Sequence, residues 1–93
     1  MIRSFRCRDT QALFEGRRVA KHLRPIAGAA LRKLDMLDYA EELVDLRAPP
    51  GNRLEALRGD RHGQHSIRIN ERWRLCFVWQ GDGPHQVEIV DYH

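Results

Sequence analysis

Three runs in the second half of the chain, residues 65–70, 73–80 and 86–92, read as strands, and only tight turns separate them. Asn70-Glu71-Arg72 joins the first pair, and Gly81-Asp82-Gly83-Pro84 joins the second. Connections this short permit hairpins but not the crossovers that parallel strands require, so the three runs predict an antiparallel meander. Side chains two apart share a face of a strand. One face would hold Ile67, Ile69, Trp73, Leu75, Phe77, Val87 and Ile89, and the other Arg68, Arg74, Cys76, Glu88, Val90 and Tyr92. The first set must be covered by something apolar, while the second leaves arginines on an open surface. The parity is least secure across the two turns, where a bulge would invert it.

The first half supplies the cover. From Ile26 to about Ala40, Ala27, Ala30, Leu31, Leu34 and Leu37 recur at helical spacing and form one apolar stripe. A shorter helix over residues 10–15 is expected to carry Leu13 and Phe14 inward, with Asp9 as its cap and Gly16 as its end. Ile2, Phe5 and Cys7 suggest a short first strand. Residues 41–46 read as a further helical turn, broken by Ala48-Pro49-Pro50-Gly51. Residues 52–57 read as an extended lead-in, and 59–63 as turn. The expectation is one α+β domain over residues 1–93, with two helices packed on one face of an antiparallel sheet.

Composition bears on the partner. Only Lys21 and Lys33 among the 16 basic residues are lysines, and the formal charge is +3. Guanidinium groups offer a planar fork that matches phosphate, which favours an anionic, nucleic-acid partner. A GC-rich genome is the competing source of the same bias. The basic run Arg17-Arg18-Val19-Ala20-Lys21-His22-Leu23-Arg24 is either a nucleic-acid contact or a solvated surface. Cys7 and Cys76 lie far apart in strand-like runs, as small buried hydrophobes do. No secretory segment or membrane span is legible, and the expected location is the cytoplasm. Phosphate-binding loops and hydrolase elbows are missing. His62 and His65 fall in a turn and a strand, so no metal or cofactor is expected.

Cleaving RNA beside a ribose requires deprotonation of the 2′-OH, stabilisation of a phosphorane and protonation of the 5′-oxygen. The terminal Asp91-Tyr92-His93, with Arg58, Arg61 and Arg74, contains every side-chain type this needs. Each also has a plain structural reading, as solvated arginine or packed tyrosine. Parity adds a condition. Tyr92 shares the open face with Arg68 and Arg74, whereas Asp91 and His93 share the parity of Val87 and Ile89. They reach the arginines if pairing stops near Tyr92 and the tail curls towards them.

These segments together resemble a known family. Leu57-Arg58-Gly59-Asp60-Arg61, the strand Trp73-Arg74-Leu75-Cys76-Phe77, the closing Asp91-Tyr92-His93 and the Leu46–Glu55 stretch are similar to the HigB-type toxins of the RelE superfamily, essentially end to end. The resemblance implies a small microbial-ribonuclease-like fold of order β-α-α-β-β-β. It also implies a metal-independent endoribonuclease that cleaves mRNA in the ribosomal A site and leaves a 2′,3′-cyclic phosphate. A helix-turn-helix antitoxin of HigA type would neutralise it, and the pair would bind operator DNA through the antitoxin. By position, Asp91, Tyr92 and His93 match the catalytic tail and Arg74 the transition-state arginine. Arg58 stands where the family often has a lysine, keeping the charge without the general acid. Arg61 and Arg68 would contact RNA phosphate. Glu55 replaces a histidine found in some relatives and is a candidate general base. The alternative is a non-catalytic inhibitor on the same scaffold, acting on a gyrase-type target or only as the antitoxin's corepressor.

Overall fold

A computed structural model describes residues 1–91 of the chain. Helix α1 spans Arg8–Phe14 and α2 spans Ala27–Tyr39. Strands β1 (Glu55–Ala56), β2 (His65–Arg68), β3 (Trp73–Gln80) and β4 (Gly83–Asp91) form one antiparallel sheet in the order β1-β2-β3-β4. This is the expected α+β architecture. Ala30, Leu34 and Leu37 of α2 are fully buried at three- and four-residue spacing. With Leu13 of α1 they meet Ile67, Leu75, Phe77 and Val87 from the sheet. The apolar parity set predicted from the strands is the face beneath the helices, with Trp73 and Ile89 packed at its margin.

Several details depart from the sequence expectation. The amino-terminal run joins the sheet through a single parallel bridge, Phe5 to Val87, rather than a ladder. Hydrogen bonds from Arg3 N to Pro84 O (2.9 Å) and from Val87 N to Ser4 O (3.1 Å) hold it there, and Ile2 N is tied to Asp38 Oδ1 at 2.8 Å. Ile89 N donates to the buried Thr10 Oγ1 at 3.0 Å, so the outer edge of β4 is closed by α1 and the chain start. Asp9 does not cap α1. The helix starts earlier, after an extended Cys7 with no side-chain cap bond, so Asp9 lies in its first turn and pairs with Arg18 at 3.2 Å.

The last turn is tighter than expected, because Gln80 pairs directly with Gly83. Gly83 has φ +127°, and a Cβ there would lie 2.7 Å from the Met1 carbonyl oxygen. A parity shift occurs inside β4 rather than at a turn. Cys76 pairs with Glu88 and Val78 with His85, so β4 uses one more residue than β3 over this interval. Gln86 absorbs the extra residue at φ +52°. Val87 and Pro84 are thereby both buried although their positions have opposite parity.

The proline-rich break is an ordered junction built on Asn52. This side chain is fully buried. Its amide nitrogen donates to the carbonyls of Leu46 (3.1 Å) and Ala48 (3.2 Å), and its oxygen accepts from Lys33 Nζ of α2 at 2.6 Å. Burial, and secondarily Arg32, pushes the Lys33 ammonium below its ordinary pKa. One amide thus fastens the loop to the long helix and fixes where the next residue, Arg53, emerges in a left-handed conformation (φ +46°).

Two outcomes follow for stability and reactivity. Asn52→Ala leaves the buried Leu46 carbonyl, the part-buried Ala48 carbonyl and an ammonium without their partner. It should cost about 2–3 kcal/mol and lower Tm by about 10–20 °C, measured by thermal and urea unfolding. The Cys76 thiol is fully buried, and desolvation raises its pKa to about 11. Since the thiolate is the reactive form, about one molecule in a thousand carries it at about pH 8. A thiol reagent should therefore modify Cys7 readily and Cys76 only at the rate of unfolding, as mass mapping would resolve.

Candidate active site

The face away from the helices is ordered in rows across the strands. Glu55, Ser66, Cys76 and Glu88 form one row by register, and Arg68, Arg74 and Val90 form the next. Arg74 lies on this surface near the start of β3, an interior strand of the sheet. Its side chain is only 12% exposed, a low value for a guanidinium. Nε donates to Ser66 Oγ at 2.8 Å and Nη2 donates to the Arg53 carbonyl at 2.7 Å. The Glu55 carboxylate lies 3.2 Å from Nη2.

Arg68 is the direct cross-strand partner of Arg74. Like charges at opposed positions destabilise a sheet, by roughly 0.2–1 kcal/mol. Arg53, Arg68 and Arg74 also line one open hollow of about 420 Å³ with Asn70 and Glu71. Three guanidinium groups against one lining carboxylate make this a positive concavity, suited to an anion with planar oxygen pairs.

The flanks are arranged differently. Arg61 Nη1 donates to Glu88 Oε1 at 2.9 Å and to Gln64 Oε1 at 3.0 Å, and Arg6 stands 3.9 Å from the same carboxylate. Arg61 is thus held against Glu88, in the row next to Arg74. Arg58, exposed at the end of the β1 segment, lines a hollow of about 590 Å³ with Glu55, Ala56 and Leu57. Glu55 therefore lies between the Arg58 hollow and the Arg74 guanidinium.

Asp91 is placed elsewhere. It pairs with Trp73, and strand parity puts it on the helix side of the sheet. Arg72 grips its carboxylate with three contacts of 2.6–3.0 Å while lying 5.8 Å from the centre of the Trp73 ring system. The hydrogen bonds and charge of Asp91 raise the Arg72 pKa above its usual value. Strand pairing continues through Asp91, and Tyr92 and His93 lie outside the described residues. The structure accordingly brings together Glu55, Arg68 and Arg74 with Arg61 and Arg58 on the flanks, and sets Asp91 on the other face.

Three participants were not singled out from sequence. Ser66 was open to detection, because it shares strand parity with Arg68. Arg72 was assigned to a turn, and its bond to Asp91 needs the hairpin register. Arg53 enters through a backbone carbonyl, for which a residue pattern holds no signal. His65 packs on Phe77 with ring centres 6.3 Å apart, and its Nδ1 is buried without a partner. Among the described residues no three His, Cys, Asp or Glu side chains converge as a metal site. No helix among them is long and apolar enough to cross a membrane.

Comparison with known proteins places this sequence in a family. Residues 3–93 match the family model described as the RelE-like toxin of the type II toxin–antitoxin system HigB. The chain is 52% identical over 68 residues to Toxin HigB-1 of Vibrio cholerae, covering 73% of this chain and 70% of the relative. It is 28% identical to Endoribonuclease HigB of Proteus vulgaris over the full length of both chains. An uncharacterized protein of Haemophilus influenzae is 41% identical over 51 residues, 55% of this chain and 50% of the relative. The chain belongs to the HigB family of RelE-like toxins of type II toxin–antitoxin systems.

Proposed function

We propose that this toxin is an endoribonuclease that cuts mRNA on the ribosome, at the arginine-bearing face of its sheet. The observation that carries the reading is the nearly buried Arg74 guanidinium beside Glu55, opposite Arg68, at the wall of a positive hollow. The name of the Proteus vulgaris relative supports the same activity.

In this reading a backbone phosphate of the message enters the hollow lined by Arg53, Arg68 and Arg74. The ribose 2′-oxygen attacks phosphorus, its proton passes to a base, and negative charge builds on the phosphorane oxygens. A fixed guanidinium in a desolvated wall stabilises that charge better than a mobile one in water. The P–O5′ bond then breaks, the 5′-oxygen takes a proton, and the products are a 2′,3′-cyclic phosphate and a 5′-hydroxyl. Glu55, 3.2 Å from Arg74, is the base that the described residues offer. Tyr92 and His93 are the proposed proton donors at the leaving oxygen. Asp91 would act indirectly, by anchoring the strand end through Arg72. Arg58, Arg61 and Arg68 hold RNA phosphate, and the ribosome orients the substrate.

Membership of a type II family implies an antitoxin partner. We propose that it is a helix-turn-helix protein of HigA type, and that operator DNA is bound through it. The site of action would then be the cytoplasm, where ribosomes and operator are found.

The test is incubation of the purified toxin with programmed ribosomes, followed by mapping of new 5′ ends. The unaltered protein should cleave within the A-site codon. Arg74→Ala should lower the single-turnover rate by about 10²–10³-fold, the range for loss of one charge-stabilising donor. Tyr92→Phe and His93→Ala should each lower it by at least about 10²-fold. Intact message with the unaltered protein would refute the reading. Growth inhibition that survived joint replacement of Arg74 and His93 would favour a non-catalytic inhibitor instead.

A further inference from the structure

Ser66 has no accessible surface, yet it carries a hydroxyl. It sits in β2 between Glu55 of β1 and Cys76 of β3, and the hydrogen bond to its side chain comes from Arg74 Nε at 2.8 Å. Taking a hydroxyl out of water is unfavourable unless the hydrogen bond is replaced. A methyl group would fill nearly the same space. The hydroxyl therefore adds little to the packing, and what it adds is a fixed point for the arginine.

An arginine side chain has several rotatable bonds and loses about 2 kcal/mol of rotamer entropy when held in one geometry. One contact leaves the guanidinium free to swing about that point. Arg74 has two hydrogen bonds at different atoms, Nε on Ser66 Oγ and Nη2 on the Arg53 carbonyl at 2.7 Å, with the Glu55 carboxylate 3.2 Å from Nη2. Two such points on a planar group fix its plane as well as its place. Nη1 makes no hydrogen bond among the described residues, and the guanidinium borders the hollow shared with Arg53 and Arg68.

We propose that Ser66 is a positioning residue: with the Arg53 carbonyl it clamps Arg74 so that the Nη1 edge meets a phosphate oxygen in the hollow without reorganisation. The proposal rests on the reading of Arg74 as the phosphate-stabilising group. Ser66 itself touches no substrate and acts through Arg74.

The test pairs a spectroscopic and a kinetic measurement on the full chain. In Ser66→Ala, the Arg74 Nε–H signal in ¹⁵N NMR spectra should shift and exchange with water faster, while Tm stays within a few degrees. Cleavage on programmed ribosomes should slow about tenfold in kcat with KM within about twofold, because orientation rather than binding is lost. In an Arg74→Lys background, which has no Nε–H to hold, Ser66→Ala should cost nothing further. Ser66→Cys, similar in volume and a weaker acceptor, should fall between serine and alanine, and substitutes if the alanine variant does not fold.

An unchanged Nε–H signal in the variant would overturn the clamp. So would an unchanged kcat, or an equal loss in the unaltered and Arg74→Lys backgrounds. If the unaltered protein cleaves nothing, the proposed function fails separately. The NMR measurement then decides the clamp alone, an unchanged signal overturning it and a shifted, faster-exchanging signal upholding it.

Discussion

One buried amide joins the two halves of this molecule. Asn52 holds Lys33 of the long helix with its oxygen and two loop carbonyls with its nitrogen. The geometry of the open sheet face depends on that junction, because the next residue turns left-handed and offers its carbonyl to Arg74. A conformation at positive φ is unfavourable for arginine and persists where its surroundings enforce it. Here the enforcing contact is the Asn52 anchor on one side and the Arg74 guanidinium on the other. Packing in the helical layer is thus linked to the placement of a charged group on the far side of the sheet.

Electrostatics explains why that placement needs enforcement. Arg74 is largely withdrawn from water, directly opposes Arg68, and shares a hollow with Arg53. Glu55 offsets part of this charge from the edge strand, while Glu88 is engaged with Arg61 and Arg6. The remaining positive charge is concentrated in a concavity, where an incoming phosphate would relieve the repulsion that the fold tolerates. A neighbouring thiol adds no chemistry, because burial holds Cys76 in its neutral form.

Much of the scaffold was legible in the sequence because it rests on period. The meander followed from three short runs and two tight turns, and the buried set Ile67, Leu75, Phe77 and Val87 followed from alternation. Alternation also separated Arg68 and Arg74 from the core. Interactions that depend on the third dimension were not legible. The Gln86 bulge carries no glycine to announce it, and the Arg72 grip on Asp91 exists only in the final register. Nor does a residue pattern indicate that Arg74 would be bound by a backbone carbonyl from 21 positions away. The Leu46–Glu55 stretch was recognisable as a pattern, but its physical content, a buried amide followed by a left-handed arginine, appeared only in the fold.

On the proposed function, substrate phosphate occupies the Arg53–Arg68–Arg74 hollow. The most direct measurement is a structure of the toxin on a programmed ribosome whose message carries a 2′-O-methyl group at the cleaved position, which blocks attack. A phosphate oxygen should lie at hydrogen-bonding distance from the Arg74 guanidinium, about 2.7–2.9 Å, with Arg68 alongside. Message lying instead against the basic run of residues 17–24, with the arginine hollow facing solvent, would contradict it.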